Sequence, residues 1–123
     1  MQDKVVKKEN KLEKQTLEFA TKIILLVKQL QNNRENIISN QIGRSATSIG
    51  ANVREAAYAS SKADFISKLQ IALKESNESA YWLELLNKTD YISQSDYEEL
   101  YKANQDIHFM LVSSINTAKK NNS

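Results

Sequence analysis

The stretch SKADFISKLQIALKESNESAYWLELLNK, residues 61–88, decides the fold. Within it Phe65, Leu69, Ala72, Ser76, Ser79, Leu83 and Leu86 recur at a 4-3-4-3-4-3 spacing. That spacing returns side chains to one stripe of an α-helix and matches the seam of a helical bundle. Ser61 stands where an N-cap belongs, and Asp64 follows three residues later, so the pair reads as a capping box with Asp in place of Glu. The spacing predicts a helix from Ser61 to about Asn87 or Lys88.

Working outward, a second helix reads from a start between Arg34 and Ser39 to about Ser60, with Ile38, Ile42, Ser45, Ile49, Val53 and Ala56 on its buried stripe. It is rich in small residues. Gly43, Gly50 and Ala57 share a face at intervals of seven, and each mid-helix glycine costs about 1 kcal/mol relative to alanine. Close approach of another helix would offset that cost; a flexible joint is the competing explanation. Toward the N-terminus, Thr16, Ala20, Ile23, Val27 and Leu30 form one stripe of a helix expected over residues 10–31. Leu17, Phe19, Ile24, Leu25 and Leu26 widen its apolar arc beyond what a small bundle needs. Toward the C-terminus, Tyr97, Leu100, Asn104, Ile107, Leu111 and Ser114 form the stripe of a fourth helix, with Ser93 and Asp96, or Ser95 and Glu98, at its start. Lys119 and Lys120 suit its C-terminal pole.

Four helices joined by short polar connections imply an all-α, antiparallel up-down-up-down four-helix bundle. The expected organisation is a flexible basic arm at 1–9, the bundle at 10–118 and a frayed tail at 119–123. The chain has 123 residues, 41% of them hydrophobic, with two glycines and no proline. That supports one core and leaves too few turn residues for an all-β fold. No cysteine is present, which excludes disulfides and thiol chemistry. No apolar run approaches the roughly 20 residues of a membrane span. A cytoplasmic protein with no membrane partner is expected.

Net charge is +2. Residues 1–60 carry ten basic and six acidic side chains, or +4, and residues 61–123 carry seven and nine, or −2. The bias begins in Lys4, Lys7, Lys8, Lys11 and Lys14. It reads either as a solvated arm or as a contact for RNA, DNA or an acidic partner. Arg44, Arg54, Lys62, Lys68 and Lys74 are the candidate nucleic-acid contacts. His108 is the one histidine, and Gln105 precedes it by three residues, so neither a His-based triad nor a di-iron motif is readable. Catalytic residues, metal ligands and cofactors are not expected.

The polar residues that stand out lie on the middle helices. Arg44, Ser48, Asn52 and Glu55 belong to the second, and Glu75 and Glu78 sit on the third in line with Lys68, Ile71, Trp82 and Leu85. Acids in a partly apolar stripe need partners, and Arg44 and Arg54 are the candidates. A structural network that fixes helix register is the favoured reading; an acid–base pair or a divalent-cation site is the alternative. Phe19, Leu26, Tyr81 and Trp82 are the candidate contacts with a second subunit.

The segment QIGRSATSIGANVREAAYASSKADFISKLQIALKESNESAYWLELL, Gln41 to Leu86, resembles the four helix bundle protein family, also called the 23S rRNA intervening-sequence protein family. Arg44-Ser45, Ser48 to Asn52, Glu55-Ala56, Ser61-Lys62, Asp64-Phe65, Leu69, Ile71 to Glu75, Glu78 and Tyr81 to Leu83 carry the likeness. The first and fourth helices match in length and pattern only. The connection between the first two lacks the proline often found in relatives. The resemblance implies an up-down bundle that assembles as a ring-shaped homopentamer and has no enzymatic activity. Some relatives are encoded inside bacterial 23S rRNA genes. Others are accessory factors of diversity-generating retroelements, where a basic barrel contacts nucleic acid and a reverse transcriptase. From this follow two expectations: a self-assembling scaffold or adaptor that contacts itself or a protein partner, or an RNA- or DNA-binding accessory protein.

Overall fold

The computed structural model describes residues 2–121, with side chains from Lys11 onward. The side chains of the expected basic arm, and Asn122 and Ser123 of the expected tail, lie outside the described residues. Four helices follow in order: α1 (Gln2–Asn32), α2 (Ile37–Ala57), α3 (Lys62–Lys88) and α4 (Gln94–Lys120). Each packs on its neighbours in sequence, and α4 closes on α1. Cross-contacts give the directions. Gly43 lies against Val27 and Gly50 against Thr16, so α1 and α2 run antiparallel. Ser76 meets Asn104 while Asn87 meets Gln94, so α3 and α4 do too. Arg44 meets Glu78 near one end of α2, and Val53 and Phe65 line one pocket near the other. The bundle is up-down-up-down.

The helix ends have local causes. Ser61 Oγ accepts the Asp64 N–H at 3.0 Å and Ser93 Oγ accepts the Asp96 N–H at 3.0 Å, so both expected caps form. The capping box of α3 is shifted by one residue, because the Asp64 carboxylate accepts from the Ser60 N–H. The α1 and α3 C-termini turn alike. Arg34 and Asp90 take the left-handed conformation, with φ of 66° and 64°. At the first turn Glu35 N–H donates to Leu30 O and Arg34 N–H to Gln31 O; Tyr91 to Leu86 and Asp90 to Asn87 repeat the pattern. These paired bonds satisfy carbonyls that a helix end leaves open. A non-glycine residue in that conformation is strained by about 1–2 kcal/mol. Arg34→Gly is therefore expected to stabilise by about 0.5–1 kcal/mol once the greater chain entropy of glycine is deducted. Asp90→Gly should gain less, since Asp tolerates this region better. A higher urea midpoint at unchanged m-value is the measurement.

One continuous core fills the bundle. The whole expected stripe of α2 is buried, and so is that of α3 apart from the half-buried Phe65. In α1 the buried line is Leu12, Thr16, Phe19, Ile23, Leu26 and Leu30, while Ala20 and Val27 are half-buried. Phe19 and Leu26, expected at a contact with a second subunit, are both buried in the chain's own core. In α4, Ile115 takes the place expected for Ser114. Two polar pairs cross the core. Ser45 Oγ and Ser79 Oγ are 2.8 Å apart. Ser76 Oγ donates to Asn104 Oδ1 at 2.8 Å, and Asn104 Nδ2 returns a bond to the Ser76 carbonyl at 3.0 Å. Such pairs are satisfied in only one register of α3 against α2 and α4.

Candidate functional site

The outer faces of α1, α2 and α3 carry both the polar set and the apolar surplus. Glu75 and Glu78 lie one turn apart on α3 and converge on Arg44 of α2. Arg44 Nη1 is 3.2 Å from Glu75 Oε1, and Nη2 contacts Glu78 Oε2. The Trp82 indole N–H donates to the same Glu78 oxygen at 3.0 Å. The indole bond, and then the guanidinium, hold the Glu78 carboxyl below its usual range against partial burial, and the bonds to Glu78 raise Arg44 further. Glu78 is thus ionised near neutral pH, the wrong form for a general acid. Tyr81 stacks edge-on against Trp82 with ring centroids 4.9 Å apart, and stays exposed. The Trp82 bond was legible in the sequence, since Glu78 and Trp82 are four residues apart on one helix.

The other polar candidates do not join this cluster through direct bonds. Asn52 Nδ2 donates to the Ser48 carbonyl and to Ser48 Oγ, at 2.9 and 3.2 Å, within α2. Glu55 is exposed one turn beyond. Arg54, an expected partner for the α3 acids, instead reaches across α1 to Glu13 Oε1 at 3.5 Å. The five proposed nucleic-acid contacts are spread over both middle helices. Lys68 lies 4.0 Å from Asp64, and Lys62 Nζ donates to the Asn121 carbonyl. Lys74 is exposed on α3.

On the other flank of α2, a groove of about 390 Å³ runs between α1 and α2. Thr16, Leu17 and Ala20 line one side, and Thr47, Gly50 and Ala51 the other. Small residues make this groove. A Cβ at Gly50 would sit 3.3 Å from Thr16 Oγ1, so the glycine permits the close approach of the two helices. Leu17 and Leu25 of α1 are 57% and 56% exposed, and Ile24, beside Leu25, is 38% exposed. Ile71 adds exposed apolar surface on α3. No helix among the described residues is long and apolar enough to cross a membrane.

The comparisons agree with this architecture. A crystal structure of a protein of unknown function from the S23 ribosomal protein family of Bacteroides thetaiotaomicron is 50% identical, with a TM-score of 0.86. The match covers 89% of this chain and 98% of that one. No curated protein matches the chain. The family model described as 23S rRNA-intervening sequence protein matches residues 8–113. Sharing that model across most of its length, and the bundle of a half-identical relative, the chain belongs to the 23S rRNA-intervening sequence protein family.

Proposed function

We propose that this protein is a cytoplasmic, non-catalytic scaffold that assembles with copies of itself through the outer face of α1 and its groove with α2. The carrying observation is the exposed Leu17, Ile24 and Leu25 beside a groove floored by Gly50 and Ala51. Adjoining apolar surface of this kind marks an interaction site, and small residues let a second helix approach closely. A non-catalytic role is supported by the fate of the most catalytic-looking residues, since the Glu75 and Glu78 carboxylates are both bound by Arg44. A cysteine-free chain fits a reducing compartment. The alternative, an RNA- or DNA-binding accessory protein, draws on the +4 of residues 1–60. It is the weaker reading because Arg44 and Arg54 are already ion-paired.

Light scattering after size exclusion tests the scaffold. The wild type should show a mass several times the 14.0 kDa of one chain. Leu17→Lys combined with Leu25→Lys should return it to one chain with an unchanged helical spectrum, since each lysine would be desolvated at the contact. A wild type that is monomeric at every concentration overturns the reading.

A further inference from the structure

A pocket of about 260 Å³ opens at the end of the bundle where α2 passes into α3. Leu12, Val53, Phe65 and Leu69, from three helices, make its apolar wall. The fourth wall is different: α4 presents Ser114, Thr117 and Asn121. This strip of polar side chains ends at a cation, because the Asn121 carbonyl receives Lys62 Nζ. An ammonium has three donors, and among the described residues Lys62 has no carboxylate partner. Lys119 and Lys120 stand on the last turn of α4 at the same end. The one acid in the first turn of α3, Asp64, is engaged by the Ser60 N–H and lies near Lys68. The pocket thus combines an apolar interior with one cation, Lys62, at its α4 edge.

We propose that this end pocket binds an aliphatic carboxylate of medium chain length, with the chain among Leu12, Val53, Phe65 and Leu69 and the carboxylate on Lys62. Volume sets the length. An apolar cavity of about 150 Å³ admits benzene, so this one accommodates a chain on the order of eight to ten carbons. Polarity sets the class: a neutral alkane would leave Lys62 and the α4 strip unused, and a cationic amphiphile would meet Lys62 with like charge. The site shares no lining residue with the α1–α2 groove, so it stands or falls separately from the scaffold reading.

Sodium decanoate, decanol and decyltrimethylammonium are the probes, titrated into the full chain while methyl NMR signals of Ala56 and Ala118 and calorimetric heat are followed. Decanoate should move both methyls and saturate below 1 mM, an upper bound taken on the order of millimolar affinity. It should bind more tightly than decanol, and decyltrimethylammonium should not bind. Lys62→Glu should weaken decanoate about fivefold or more while leaving decanol unchanged, as expected for a rim-exposed ion pair turned repulsive. Ala118→Leu, at a half-buried wall position, should abolish both decanoate and decanol binding with the helical spectrum retained. Three results overturn the proposal: no methyl shift with decanoate, equal binding of decanoate and decanol with no effect of Lys62→Glu, or shifts confined to the α1–α2 groove.

Discussion

Phe19→Ala is expected to lower the unfolding free energy by about 3–5 kcal/mol, the cost of removing a fully buried aromatic side chain and leaving a cavity. Phe19 is 1% exposed within the single chain and belongs to the continuous core with Ile23, Leu100 and Ile107. Its loss therefore acts on the bundle itself. The expectation has a second part that separates core from interface. A residue at a subunit contact would make the loss depend on protein concentration, because dissociation would absorb it. For Phe19 the difference between variant and wild type in urea should stay constant over a hundredfold range of concentration. A shift below about 1 kcal/mol, or one that vanishes at high concentration, would return Phe19 to the interface. Against a typical total of about 5–15 kcal/mol the variant is also close to the limit of folding, so unfolding is best followed at low temperature with a stabilising background such as Arg34→Gly.

Phe19 also shows where sequence patterning loses its resolution. Helix α1 has apolar residues at 17, 19, 20 and 23–27. Two stripes pass through that set, one by way of Ala20 and Val27, the other by way of Phe19 and Leu26, and both share Thr16, Ile23 and Leu30. A period of 3.6 fits both equally. The structure chooses the larger pair for the core, which leaves Leu17, Ile24 and Leu25 as the outward surplus. Helix α3 offered no such ambiguity. Its apolar residues are interrupted by Lys68, Lys74, Glu75 and Glu78, so one seam was readable, and six of its seven residues are fully buried.

The polar features divide in the same way. The Arg44 clamp was partly legible because Glu75 and Glu78 share a face one turn apart and require a nearby cation. Arg54 was not, since its choice of Glu13 depends on how closely α1 approaches α2 at Gly50. The core bond between Ser76 and Asn104 was visible only as two polar residues on apolar stripes; that they face each other follows from the register of α3 and α4. The end pocket had no local signal at all, because its walls come from four helices whose lining residues are 109 positions apart at the extremes, Leu12 and Asn121.

Glu35→Ala is the second large effect, expected to destabilise by about 2–3 kcal/mol. The connection between α1 and α2 has no ordinary cap: Asn36 occupies the N-cap position and makes no side-chain bond. Glu35 does its work from one residue earlier. Its Oε2 accepts the Ile37 and Ile38 N–H groups at 3.1 and 3.0 Å, and its Oε1 accepts the Ser39 N–H at 2.7 Å. Its own N–H closes the α1 terminus on Leu30, and its carbonyl accepts from Ser39 Oγ at 2.7 Å. A single residue therefore finishes one helix and starts the next, with a negative charge placed at the positive pole of α2. It is only 7% exposed, so water cannot fully replace the carboxylate, and the freed amides at Ile38 and Ser39 would be left buried without partners. Losing a cap costs about 1–2 kcal/mol, and an unsatisfied buried donor adds about 1–3. Glu35→Gln keeps one accepting oxygen but gives up the charge and the second acceptor, and should recover about half of the loss. The ordering Ala below Gln below wild type in urea midpoint is the measurement. If alanine and glutamine came out equal to wild type within about 0.5 kcal/mol, the helix start would have to rest on the buried Ile38 and Ile42 side chains instead of on Glu35.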